Sequence, residues 1–129
     1  MAGLGPMTGQ AHHFRQYVWE KIPYAIKRYT NEVNRLYGVM NKRLKDREYL
    51  AGCYSIADMA CRGWIVPCKN QGRQLDDFPI LKDRFARVGA RPAVERGFAL
   101  GREWDRGIIG DRTKEAEWAH KILFGQRAR

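Results

Sequence analysis

Apolar side chains recur along this chain in steps of three and four. The clearest run extends from about Ile22 to about Arg47. Ile22, Ala25, Ile26, Tyr29, Val33, Leu36, Tyr37, Met40 and Leu44 share one stripe, the spacing of a single helix face. Lys27, Arg28, Glu32, Arg35, Lys42 and Arg43 fall on the opposite face. Pro23 suits the first turn, where its missing N–H has no intrahelical partner to lose. Leu36 is the stripe position expected to matter most; if buried, its truncation to Ala would cost about 2–5 kcal/mol.

A second helix is predicted from Ser55. Ser55 and Asp58 have the S-x-x-D spacing of a capping box, and Tyr54 and Met59 occupy the two positions of a hydrophobic staple. In the box the Ser55 hydroxyl accepts from the Asp58 N–H, and the Asp58 carboxylate reaches back to the Ser55 N–H. Ile56, Ala57, Met59, Ala60, Cys61, Trp64, Ile65 and Val66 make this helix apolar nearly all round. It is therefore expected at the centre of a bundle, buried on most sides and ended by Pro67. A third helix is predicted from Phe78-Pro79, capped by Asp77, with Leu81, Phe85 and Val88 inward. Arg91-Pro92 interrupts the chain, and a short helix follows to about Leu100, stopped by Gly101. The opening segment carries Gly3, Gly5, Pro6 and Gly9, a density of small residues that suits a helix approached closely by another surface. A last amphipathic stretch, about Thr113 to Leu123, is expected to dock on the body. No strand-length alternation or hairpin dipeptide occurs, so the fold class is all-α, a helical bundle.

Charge changes this picture little. Lys and Arg number 24 against 14 Asp and Glu, a formal charge of +10. The excess is net +5 over residues 1–50, +3 over 51–100 and +2 over 101–129, with acids interleaved throughout. No block of like charge marks a nucleic-acid tail, so a nucleic-acid partner is not expected. No apolar run approaches the roughly 18 residues of a membrane helix, and no membrane partner is expected. Met1 to Pro6 carries neither a basic n-region nor an apolar h-region, so no secretory signal is read there. Three cysteines, an odd count, suit reduced thiols in the cytoplasm.

Four segments, in order, resemble one family. YLAGCYSIADMA at residues 49–60 resembles a segment of glutathione transferase C-terminal domains, as does Phe78-Pro79-Ile80-Leu81 with Arg84 and then Arg91-Pro92-Ala93-Val94. GLGPMTGQAHHF at residues 3–14 and IPYAIKRY at residues 22–29 are similar to a narrower branch. That branch is the bacterial nu-like glutathione transferases, which include glutathione-dependent disulfide-bond oxidoreductases. The resemblance implies a two-domain enzyme. A thioredoxin-like N-terminal domain holds the co-substrate glutathione. The helical domain forms the wall of the second-substrate pocket and part of the homodimer interface. This chain resembles the helical part alone, over residues 1–101, with its first helix clipped. Residues 102–129 are a polar extension with a short amphipathic helix. The implied chain lacks the glutathione-activating domain, binds no cofactor by itself and is inactive alone. The alternative is a non-catalytic glutathione-transferase-like protein-interaction module.

The resemblance also implies site residues. Arg28 matches an arginine that reaches a glutathione carboxylate across the dimer, a task suited to a planar guanidinium fork; the plainer reading is a solvent-facing helix arginine. Met7, Gln10 and Phe14 fall on the helix that lines the hydrophobic substrate pocket, or are ordinary packing. Ser55 and Asp58 are structural, and no catalytic residue is assigned. His12 and His13 are adjacent and cannot form an i, i+4 metal pair, so no metal is expected. Cys53, Cys61 and Cys68 contain no C-x-x-C pair, and Cys61 sits in the most apolar helix, where a thiol is inert. Arg62-Gly63 departs from the bulky residues usual in the family and places a charge beside an apolar helix.

Overall fold

The computed structural model describes residues 3–104, 121–122 and 125. Among the described residues there is no β-strand, only isolated bridges in the turn around residues 49–53. The helices are α1 (Leu4–His12), α2 (Pro23–Arg43), α3 (Ile56–Ile65), α4 (Pro79–Gly89) and α5 (Pro92–Trp104). A π-helical turn, His13–Tyr17, follows α1, and a 3₁₀ turn, Leu75–Asp77, precedes α4. The chain divides into two compact units, Met1–Arg91 and Pro92–Arg129.

In the first unit α1 packs on α2 and α3, and α4 packs on α2 and α3. Leu4, Ala11, Val33, Tyr37, Leu44, Ile65, Phe78 and Leu81 form the core. Each large side chain fully withdrawn there contributes roughly 1.5–3 kcal/mol. The α2 stripe buries Val33 and Tyr37 completely, at 0% exposure each, while Leu36 is only half-buried. Leu36 faces Gly3 at the very start of α1, with its Cδ2 3.5 Å from where a Gly3 Cβ would sit. The expectation that Leu36 dominates the stripe is corrected in favour of Val33 and Tyr37.

α3 also departs from expectation. It is not sheathed on most sides: Ile56 is 81% exposed, and Met59 and Val66 are near half. Those side chains share one stripe, while α1 and α4 cover the other faces, where Ile65 and Asp58 are buried. Apolar periodicity identifies the helix but cannot say how many neighbours surround it.

The glycines of α1 are approached from within. A Cβ on Gly5 would lie 3.1 Å from the Trp64 indole nitrogen, and one on Gly9 would lie 3.5 Å from the same ring. Trp64 of α3 therefore lies across a saddle that only small residues leave open.

The N-cap of α4 falls one residue after the expected Asp77. Phe78 is the N-cap residue and makes no side-chain cap bond, while Asp77 belongs to the 3₁₀ turn. The orphan N–H of Leu81 is instead satisfied from α2, by Asn41 Oδ1 at 3.0 Å. In the second unit α5 continues through Gly101 to Trp104, because an interior glycine weakens a helix by only about 0.5–1 kcal/mol. The amphipathic stretch expected at Thr113 to Leu123 lies outside the described residues apart from positions 121 and 122.

Candidate functional site

The first turns of α2 and the middle of α1 enclose an open groove of about 680 Å³. Met7 of α1 faces Tyr24, Lys27, Arg28, Tyr29, Asn31, Glu32 and Arg35 of α2 across it. These α2 positions recur at helical spacing, so one exposed face of a single helix supplies nearly the whole lining. The lining mixes two aromatic rings and a thioether with three cations and one carboxylate.

That carboxylate is committed. Arg35 grips Glu32 with a two-pronged fork, Nε to Oε2 at 2.8 Å and Nη2 to Oε1 at 2.6 Å. The hydrogen bond from Arg35, its charge and that of Arg28 together hold the Glu32 carboxyl below its ordinary value. Arg28 itself is exposed, and among the described residues no hydrogen bond or ion pair holds it. The groove thus presents a guanidinium beside aromatic walls while its own acid is occupied by another arginine. A free guanidinium in such a setting has the geometry to pair with a carboxylate.

Two of the sequence-derived pocket residues behave differently. Phe14 lies behind the groove, its ring stacked on Tyr29 with centroids 5.4 Å apart and planes 8° from parallel. Gln10 is exposed and does not line the groove. A π-helical turn begins at His13, just before Phe14, so the i, i+3, i+7 register of Met7, Gln10 and Phe14 does not carry through. Tyr24, Lys27, Tyr29 and Arg35 were not singled out from the sequence. The spacing of Lys27 and Arg35 opposite the apolar stripe was the available signal, whereas Tyr29 belongs to the stripe itself.

A scan against models of known protein families finds no match. Individual proteins do match. The chain is 47% identical over 95 residues to the disulfide-bond oxidoreductase YfcG of Escherichia coli, covering 73% of this chain and 44% of that protein. A glutathione transferase from Burkholderia graminis, solved with two glutathione molecules per subunit, superposes with a TM-score of 0.68 at 36% identity, over 75% of this chain and 44% of that one. One from Pseudomonas putida, solved with a glutathione disulfide per subunit, gives 0.68 and 36% over 75% of this chain and 45% of that one. The described helices are those of the glutathione transferase C-terminal domain. The chain spans less than half the length of these relatives.

In this glutathione transferase domain the N-terminus of α3 is held by Ser55 and Asp58. The Ser55 hydroxyl accepts from the Ala57 N–H at 3.3 Å, and the Asp58 carboxylate accepts from the Ser55 N–H at 3.2 Å. Asp58, 5% exposed, does more than the box requires. Its second oxygen accepts the Leu50 N–H at 3.1 Å and so ties the preceding turn to the helix. Tyr54, one half of the expected staple, packs edge-on against Tyr49 and lies under the Arg91 guanidinium at 3.7 Å.

The unusual Arg62 turns toward α4. Its Nη1 donates to the Phe85 carbonyl at 2.7 Å and its guanidinium lies 4.2 Å above the Phe85 ring. Gly89 makes room, since a Cβ there would fall 2.6 Å from Arg62 Nη2. A second polar clasp centres on the fully buried Tyr37 and Gln71. Tyr37 donates to Gln71 Oε1 at 2.7 Å and Gln71 Nε2 donates to the Trp64 carbonyl at 2.7 Å. Burial drives the Tyr37 phenol well above its ordinary value, so it stays a donor. Burial also raises the Cys61 thiol, which keeps it protonated and unreactive.

Proposed function

We propose that this chain forms the substrate-pocket and dimer-forming part of a cytoplasmic glutathione transferase or glutathione-dependent disulfide reductase, over residues 1–101. In this reading a thioredoxin-like domain holds glutathione and activates its thiol, a step that needs aimed donors in a preorganised pocket. Arg28 receives a glutathione carboxylate from the neighbouring protomer. Met7 contributes to the wall of the second-substrate pocket, Phe14 supports that wall through Tyr29, and Gln10 lies at its edge. The observation that carries the reading is the groove shared by Met7 and Arg28, in which Arg35 occupies the one carboxylate and leaves Arg28 to a ligand.

The chain alone is expected to neither conjugate glutathione nor reduce its disulfide. Joined behind the thioredoxin-like domain of a relative, it should restore turnover. In that fusion Arg28→Ala should raise the KM for glutathione about tenfold, the loss of one charge-assisted carboxylate contact. Turnover by the purified chain alone, or a fusion indifferent to Arg28→Ala, would refute the reading.

A further inference from the structure

A small cavity of about 20 Å³ lies between the end of α2, the turn before α3, α3 and α4, and none of the residues lining it is exposed. Leu44, Ile65, Leu81 and Val88 give it apolar walls. Two buried charges line it as well, Asp58 at 5% exposure and Arg84 at 7%. They hold the two ends of one short segment. Arg84 Nη2 donates to the Arg47 carbonyl at 3.0 Å, and the Leu50 N–H donates to Asp58 Oδ1 at 3.1 Å. Arg47 and Leu50 are three residues apart, a reach of at most about 11 Å. The Tyr49 ring between them lies 5.3 Å from the Arg84 guanidinium carbon. Yet among the described residues no ion pair joins Asp58 to Arg84. Arg84 Nε and Nη1 are buried and meet no acceptor among them. Asp58 Oδ1 accepts the Leu50 N–H and keeps a lone pair. Arg62, the other cation lining the cavity, is engaged with the Phe85 carbonyl at 2.7 Å.

We propose that this cavity is the binding site of one structural water molecule, which accepts from the Arg84 guanidinium and donates to the Asp58 carboxylate. Buried polar groups are nearly always paired, by protein or by ordered water, because a charged donor without an acceptor is costly in an apolar surrounding. The volume suits one water, which needs about 10–15 Å³ and two to four polar partners. A halide would satisfy Arg84 but has no proton for Asp58, and the carboxylate repels it. The water completes a buried ion pair that the two side chains do not make directly. Through Arg47 and Leu50 it fastens the turn between α2 and α3 to the cap of α3 and to the middle of α4. The proposal does not rest on the glutathione reading.

A high-resolution crystal structure of the full 129-residue chain tests this directly. It should show one ordered water within hydrogen-bond distance of an Arg84 nitrogen and an Asp58 oxygen. Soaking with sodium bromide should leave no anomalous peak at that place. In solution, urea unfolding of the parent, Asp58→Asn, Arg84→Met and the double variant reads the coupling between the two residues. Losing both partners should cost less than the two single losses combined, by about fivefold or more in the folding equilibrium constant. High salt should leave that coupling unchanged, because a buried bridge is little screened. A bromide peak, a direct contact between Arg84 and Asp58 in place of the water, or a cavity without density would overturn the proposal. So would additive variants, or a coupling abolished by salt. If a variant does not fold, the crystal structure of the parent still decides.

Discussion

Replacing a helical glycine by alanine ordinarily stabilises a protein, yet Gly89→Ala should do the opposite here. The new methyl would stand 2.6 Å from Arg62 Nη2 and 2.8 Å from its Cζ, so the guanidinium must shift from its place over Phe85. With it go the 2.7 Å hydrogen bond to the Phe85 carbonyl and the stacking 4.2 Å above the Phe85 ring. A hydrogen bond from a charged donor is worth about 1.5–3 kcal/mol, and the stacking about 0.5–1 kcal/mol. The helix gains about 1 kcal/mol from alanine, which leaves a net loss of about 1–3 kcal/mol. Urea unfolding followed by far-UV circular dichroism reads this directly for the parent, Gly89→Ala, Arg62→Ala and the double variant. With Arg62 already truncated, alanine at position 89 has nothing to displace and should be neutral or stabilising. A Gly89→Ala protein as stable as its parent would refute the reasoning. So would an equal penalty with and without Arg62.

Other substitutions test the remaining contacts. Tyr37→Phe leaves Gln71 Oε1 buried without its 2.7 Å donor and should cost about 1–3 kcal/mol in urea unfolding. Gly5→Val should push the Trp64 indole off α1, costing about 1–3 kcal/mol and moving the tryptophan emission to the red. Asp58→Ala strips acceptors from the Leu50 and Ser55 N–H groups and should destabilise more than Ser55→Ala, which removes one cap worth about 0.5–2 kcal/mol. Partial burial holds the His12 imidazole below its unfolded value of 6.5, so the unfolded chain binds the proton more readily. The stability contributed by neutral His12 is therefore complete above pH 6.5 and lost as the pH falls toward the folded value, a step that His12→Gln should remove from the pH profile.

Much of the architecture is local and was legible from the residues. The α2 stripe, the start of α3 at Ser55 and the start of α4 at Pro79 rest on helical period, a capping box and a proline in the first turn. Each is satisfied by atoms within a few residues of one another, so it is written in consecutive positions. The all-α class follows from the same periodicity. What each helix meets was not written in this way. Trp64 on the Gly5–Gly9 saddle, Arg62 in the space left by Gly89, and Gln71 between Tyr37 and the Trp64 carbonyl join residues far apart in the chain. The preference of Tyr37 over Leu36 for the core, and the bare outer stripe of α3, depend on which faces the neighbouring helices cover. The groove at Arg28 likewise exists only because α1 lies across α2 at Met7, and because Arg35 takes Glu32. Period and capping specify which side of a helix is apolar. Which neighbour covers it, and which polar groups pair, is decided when distant segments compete for the same buried space.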